Sequence, residues 1–202
     1  MTPISSPFPS RLRRWFFLLT LLAVAPGCGY NAIITHDEAV KQAWADVEAT
    51  YQRRSDLIPN LVQTVKGYAA HERETLEAVT EARAQVGQVK VSAEELSDPA
   101  KVAAFQSAQA GMGSALARLL VVAERYPELK ADANFRDLQH QLEGTENRIN
   151  VARQRYNQAV ATFNAAIRTF PNNLTNRLLL HLTAKEGFKA EPGAEVAPKV
   201  TF

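Results

Sequence analysis

Residues 132–170 read DANFRDLQHQLEGTENRINVARQRYNQAVATFNAAIRTF. Apolar residues recur in this stretch at steps of three and four: Phe135, Leu138, Leu142, Ile149, Ala152, Tyr156, Val160, Phe163, Ile167 and Phe170. That spacing follows the 3.6-residue turn and lays one apolar stripe along a single long helix. Asp132 stands in front of it, where a carboxylate can accept a backbone N–H that the first turn leaves free. Three earlier runs repeat the pattern. One begins at Thr35 and Glu38, three apart as a capping box requires, and carries Val40, Trp44, Val47 and Tyr51. The next carries Ile58, Leu61, Val65, Tyr68, Leu76, Val79 and Val86. The third opens at Ser97-Asp98-Pro99, a cap followed by proline in the first turn, and carries Val102, Phe105, Met112, Leu116, Leu119, Ala123 and Tyr126. No strand-like alternation of useful length interrupts these runs. The expected fold is all-α: an elongated antiparallel up-and-down four-helix bundle over residues 35–182, with a short extra C-terminal helix and an extended tail over 183–202.

Pro59 leaves two arrangements open. The 3-4 phase passes through it unbroken, as a single kinked helix from 36 to 88 would require. Such a helix would be about 80 Å long, and much of its stripe would lack a partner. A turn near Ser55-Asp56, with Pro59 in the first turn of the following helix, gives runs of more similar length and is the expected arrangement. Beyond Phe170, Pro171-Asn172-Asn173 breaks the chain before a short helix with Leu174, Leu178, Leu179, Leu180 and Leu182, of which the leucines from 178 to 182 are expected to cap the bundle end rather than dip into a membrane. In the tail Val196, Val200 and Phe202 alternate, so it either lies along the bundle or hangs free.

The chain has 202 residues, of which 46% are hydrophobic and 22% charged, the range of an ordinary globular protein. Its formal charge of +2 comes from 23 basic and 21 acidic residues, but Arg11, Arg13 and Arg14 sit in an acid-free leader. Without those three the remainder is slightly acidic, which argues against a nucleic-acid-binding body. The single cysteine excludes a disulfide framework and a four-cysteine zinc site.

That leader, residues 1–27, is expected to be a signal peptide. A basic cluster precedes an apolar run from Trp15 to Ala25, whose helix would rise about 16 Å against a hydrocarbon core of about 30 Å. Two cleavage sites compete. Ala23 and Ala25 form an A-x-A site, but Pro26 would then begin the mature chain. Gly27-Cys28 instead resembles a bacterial lipobox, with cleavage before Cys28 and acylation of its sulfur and its new amino group by chains such as palmitate. The lipoprotein reading is preferred, because the only cysteine falls where lipidation needs a thiol; three acyl chains hold a protein stably at a membrane, one only marginally. Residues 28–34 are then expected to be anchor and linker.

Further stretches carry a family resemblance: GYN at 29–31, AWADVEATYQRRSDLIPNLVQTVKGYAAHERETLEAVTEARA at 43–84, LLVVAERYPELKADANFRDLQHQLEGTENRINVARQRYNQAVATFNAAIRTFPNNL at 119–174, and PKVTF at the end. The sequence closely resembles the LemA family of bacterial envelope proteins over nearly all of the mature chain, with RRSDLIPNLV, YPELKA, TENRI and RYNQAV in order and at workable spacing. The resemblance implies an elongated helical bundle attached to a membrane by its amino-terminal segment and facing outwards. It implies companionship with membrane metalloproteases or other envelope proteins, and brings no catalytic residues. The leader departs from many members, since a lipobox-like cysteine replaces a longer membrane span.

Catalytic patterns are sparse. His36, His71, His140 and His181 lie in four different segments, and no H-E-x-x-H, C-x-x-C, phosphate loop or G-x-S-x-G occurs. The nearest metal-like arrangement pairs His71, Glu72 and Glu74 with Asp137 and His140, short of the carboxylate and histidine set of a di-iron bundle. More informative are polar residues where the stripes expect apolar ones: Arg54, Glu72, Gln109 and Thr145. With Asp56, Asn60, Glu146, Asn147, Arg148 and Arg153 they are expected to form a structural network that sets helix register, as a buried asparagine does in coiled coils. Gly111 and Gly113 in mid-helix each cost about 1 kcal/mol relative to alanine, for which close helix approach is the expected reason and a groove for a partner helix the alternative.

The expected function is a non-enzymatic envelope lipoprotein without metal or cofactor, lipid-anchored through Cys28, facing the periplasm or exterior and acting as a helical scaffold or adaptor for other envelope proteins. The alternatives are a metal-dependent enzyme using His71, Glu72, Glu74 and His140, and a regulatory subunit of a membrane protease. Intact mass and membrane fractionation check the anchor: wild-type protein from its own host is expected to carry acyl mass and sediment with membranes, whereas Cys28→Ala carries none and loses that attachment.

Overall fold

The computed structural model describes residues 27–189, which contain helices, turns and extended chain and no strand. The long helices are α1 (Gly27–Tyr68), α2 (Arg73–Gln88), α3 (Pro99–Ala123) and α5 (Ala133–Ala166). A 3-10 turn, Ala93–Ser97, precedes α3, and the short α4 (Pro127–Ala131) precedes α5. After α5 come α6 (Asn172–Thr175), a π turn (Asn176–Leu180) and an extended segment to residue 189. Residues 1–26 of the expected leader and the alternation of Val196, Val200 and Phe202 lie outside the described residues.

Two helix starts follow from single carboxylates. Asp98 accepts from the amides of Ala100 and Lys101 in front of α3, with Pro99 as the first helical residue. Asp132 accepts from the Phe135 amide in front of α5 at 2.9 Å. Thr35, expected to cap, instead lies inside α1 and donates its hydroxyl to the Asn31 carbonyl one turn back. Residues 28–34 are accordingly no linker: they are helical, and Ile33 is fully buried.

The turn expected at Ser55-Asp56 is absent, because α1 runs through Pro59 as one helix of 42 residues, about 63 Å. Proline has no N–H to give the carbonyl four residues back, that of Ser55. Arg83 on α2 donates to this carbonyl instead, Nε to O 3.2 Å. The chain reverses at residues 69–72, so α2 doubles back along α1 and brings Arg83 level with Ser55. Neither expected arrangement of residues 36–88 anticipated a reversal there, where the sequence has neither proline nor glycine. Glu72 secures it by accepting from the Tyr126 hydroxyl at 3.1 Å and pairing with Arg125 at 3.0 Å, and this carboxylate holds the Tyr126 phenol above its ordinary pKa.

The stripes bury two apolar clusters stacked along the helices. One gathers Trp44, Tyr51, Phe105, Ile149, Tyr156, Phe163 and Phe188 among others; the second gathers Leu57, Ile58, Leu61, Met112, Leu116, Leu138 and Leu142 among others. Trp44 centres the first, with its ring 5.1 Å from Phe105 and 5.3 Å from Tyr156 and its N–H donated to the Val91 carbonyl at 3.0 Å.

The extended segment is clamped to α5 by side-chain amides that imitate a strand partner. Asn164 donates to and accepts from the Lys185 backbone at 2.8 and 2.9 Å, and Asn157 does the same for Phe188 at 3.1 and 2.8 Å. The spacings match, since seven residues of helix rise about 10.5 Å and three residues of extended chain span about 10 Å. Gly187 lets the segment approach, because a Cβ there would lie 3.1 Å from Asn157 Oδ1. The expected leucine cap is only partly present: Leu180 and Leu182 pack on the first cluster, while Leu174, Leu178 and Leu179 are exposed.

The buried Lys185 ammonium pairs with Asp37 at 2.9 Å, and Lys41 pairs with the other carboxylate oxygen at 2.9 Å. Burial acts to raise the Asp37 pKa, but the hydrogen bonds from Lys185 and Lys41 outweigh it and hold the carboxyl below its ordinary range. A lowered folded-state pKa stabilises the fold fully above the unfolded carboxylate pKa of about 3.9, and that contribution fades as pH falls through the lower folded value. Denaturant titration should find Asp37→Asn less stable than wild type by about 2 kcal/mol at neutral pH, with the gap closing below about pH 4.

A polar layer and candidate binding groove

Between the two apolar clusters each of three helices contributes one buried polar side chain: Arg54 between Tyr51 and Leu57 on α1, Gln109 between Phe105 and Met112 on α3, and Thr145 between Leu142 and Ile149 on α5. Arg54 is only 4% exposed. An isolated guanidinium could not be buried so deeply without large desolvation cost, and Arg54 is not isolated. Its Nη1 pairs with Glu146 Oε1 at 2.8 Å, while its Nη2 donates to the Gln109 carbonyl at 3.1 Å and to Gln109 Oε1 at 2.6 Å. Its Cζ lies 5.0 Å from the centre of the Tyr51 ring. One fork thus joins α1, α3 and α5, a task for which a planar five-donor group is suited and a point charge is not. Thr145 satisfies itself within α5 by donating to the Gln141 carbonyl at 2.7 Å.

Of the residues expected to share a network, the structure brings Arg54, Gln109 and Glu146 together and sets the others apart. Asp56 is exposed and accepts from Gln52 at 2.7 Å. Asn60, Asn147 and Arg148 are exposed on the surface. Glu72 belongs to the reversal after α1. Arg153 faces the extended segment, with Cζ 4.9 Å from the Phe188 ring centre and a hydrogen bond to the Lys189 carbonyl. His71, Glu74, Asp137 and His140 are exposed, and among the described residues no three His, Cys, Asp or Glu side chains gather as metal ligands would.

Beside the polar layer the helices part to leave an open groove of about 590 Å³. Tyr51, Arg54 and Glu146 form its floor with Phe188 from the extended segment; Ala110, Gly113, Ser114 and Ala117 line the α3 side, and Asn150 and Arg153 the α5 side. The mid-helix glycines are therefore not explained by close helix packing, since a Cβ at Gly111 or Gly113 would meet nothing within 4 Å. Small residues keep the α3 wall low, and Gly113 opens onto the groove. Gln106, also in the lining, has a buried Nε2 with no hydrogen-bond partner among the described residues. Ser114 donates to the Ala110 carbonyl at 3.1 Å, so its hydroxyl is engaged by backbone. The groove is lined by the half-buried Arg153, the Glu146 carboxylate, the amides of Gln106 and Asn150 and small apolar residues, a mixed surface of the kind that holds a peptide segment.

Residues 43–202 match the family model described as the LemA family. The chain belongs to the LemA family. Its similarity extends to magnetosome protein MamQ of Magnetospirillum gryphiswaldense, 28% identical over 171 residues that make up 77% of this chain and 61% of MamQ. Magnetosome protein MamQ 2 of Paramagnetospirillum magneticum is 28% identical over 173 residues, covering 78% and 62% of the two chains. Protein LemA of Metamycoplasma hominis is 23% identical over 177 residues, covering 84% and 76%. The chain spans about three-fifths of the length of the MamQ relatives it matches. In this LemA-family chain the matched region contains the whole polar layer and the groove.

Arg83, Gln106, Asn157 and Asn164 escaped the sequence reading. The seven-residue spacing of the two asparagines on one helix face was the available signal for a clamped partner segment, and the proline four residues after Ser55 was the signal for a donor such as Arg83. In urea denaturation Arg54→Met should destabilise the protein by about 2 to 4 kcal/mol, because Glu146 and Gln109 lose a partner that three helices share. Arg54→Lys should recover little of this, since one ammonium replaces a fork.

Proposed function

We propose that this LemA-family protein is a non-enzymatic, membrane-tethered adaptor of the bacterial cell envelope, in which α1, α2, α3 and α5 stand as an elongated up-and-down bundle and the groove receives a segment of another envelope protein. The observation that carries this reading is the groove itself: an open cleft beside the level where the buried Arg54 joins three helices, with Gly113 in a wall of small residues that no packing among the described residues requires. The tether is the lipidated Cys28, which holds the bundle at the membrane facing the periplasm or exterior. Among the described residues no helix is long and apolar enough to cross a membrane. Membrane metalloproteases, the companions implied by the family resemblance, are the first partners to test.

A photo-crosslinking amino acid at Ser114, introduced in the native host, should yield a discrete adduct with an envelope protein, and the same probe at Val121, exposed elsewhere on α3, should not. Adding Gly113→Trp, which fills the groove without meeting other atoms at its Cβ, should abolish the adduct while leaving the thermal midpoint near wild type. An adduct that survives the tryptophan would contradict the groove as the docking place.

A further inference from the structure

The end of the fold where α1 begins is also where most of the large apolar side chains exposed among the described residues collect. Gly29, in the first turn of α1, packs against α6 so closely that a Cβ there would lie 2.6 Å from Asn172 Oδ1 and 3.1 Å from Thr175 Oγ1. Around this junction Phe170 is 79% exposed, Leu178 66%, Leu179 59% and Leu174 48%, with Tyr30 at 43% on the facing turn of α1. These are five of the eight large apolar residues exposed among the described residues, and the other three, Tyr68, Val121 and Val151, sit elsewhere on the bundle. A cap on the bundle would have turned the leucines inward. Here the interior is closed by Leu180 and Leu182, and the neighbouring leucines face solvent.

Charge at this end points to the occupant. From residue 147 to residue 185 the sequence contains Arg148, Arg153, Arg155, Arg168, Arg177 and Lys185 and no acidic residue. Arg168 and Arg177 are exposed and flank the apolar patch in sequence. The nearest acids on α1 are engaged by cations, Asp37 by Lys185 and Lys41 and Glu38 by Lys41. An apolar patch with arginines and an interfacial tyrosine matches the chemistry of an anionic lipid surface. Geometry adds that Cys28, the acylated residue of the tether reading, lies in the first turn of α1, so no linker separates the anchor from this patch.

We propose that Tyr30, Phe170, Leu174, Leu178 and Leu179, with Arg168 and Arg177, form a second membrane contact that seats the anchor-proximal end of the bundle in an anionic lipid surface. The proposal rests on the tether reading for its orientation. An acyl anchor alone leaves a protein free to swing about the attachment point; an inserted patch beside it fixes the bundle upright and presents the groove at a constant height above the bilayer.

The test uses the full chain, purified from its own host with Cys28 blocked by lipid, carrying Leu178→Cys labelled with a polarity-sensitive fluorophore and, as control, Val121→Cys. In vesicles of phosphatidylethanolamine and phosphatidylglycerol the probe at 178 should shift to the blue and be quenched by lipids bearing a shallow spin label, while the probe at 121 should show neither effect. Quenching at 178 should weaken in phosphatidylcholine vesicles, and equal quenching there would overturn the anionic character of the contact. A probe at 178 that remains in water overturns the proposal. So does a blue shift without lipid quenching that disappears on dilution, since a second copy of the chain would then cover the patch. The unsubstituted chain separates the two readings: if it takes up the label, Cys28 is free and the tether reading fails, whereas insertion at 178 is judged independently.

Discussion

The guanidinium of Arg54 is the constraint on which the remaining architecture depends. A charge that deeply buried has few acceptable environments, and the one it occupies requires Gln109 on α3 and Glu146 on α5 at the same level as itself on α1. Sliding any of the three helices by a turn would leave the cation facing an apolar cluster, because Tyr51 and Leu57, Phe105 and Met112, and Leu142 and Ile149 bracket the layer on their own helices. Apolar stripes alone tolerate such slips, since one leucine can stand in for another. The polar layer therefore supplies register at a desolvation cost that three charge-assisted hydrogen bonds offset.

The groove follows from the same layer. Arg54 draws Gln109 and Glu146 inward, and on the side where α3 carries Ala110, Gly113, Ser114 and Ala117 little side-chain volume fills the space that remains. The extended segment closes one edge. It is held by the amides of Asn157 and Asn164 and by the ion pair of Lys185 with Asp37, and it delivers Phe188 simultaneously to the first apolar cluster and to the groove. The start of α1, the clamped segment and the groove thus lie in succession along α1 and α5, the direction that the proposed adaptor role requires.

Much of this was legible in the residues. The 3-4 stripes marked the helices, Asp98 and Asp132 marked two of their starts, and Arg54, Gln109 and Thr145 stood out as polar residues in apolar positions. Pro59 misled because its cost is local while its remedy is distant: Arg83, 24 residues on, supplies the hydrogen bond that the proline ring cannot. Thr35 looked like a cap since a hydroxyl three residues before a glutamate serves equally well inside a helix, bonded one turn back. Glycine in a helix signals either a close approach or an open space, and only the arrangement of α3 beside α1 and α5 decides between them. The reversal at 69–72 carries no local breaker and depends on Tyr126 and Arg125 reaching Glu72 from beyond α3.

The Arg54 fork holds α3 in place against α1 and α5 and so frames the groove. The distance distribution between spin labels at Ser114→Cys and Asn150→Cys, one on each wall, measured in the full chain with and without Arg54→Met, tests this coupling. A single narrow distance is expected, which broadens when the guanidinium is removed. An equally narrow and unshifted distribution in the Arg54→Met chain would show that the groove stands without the layer and would contradict the account.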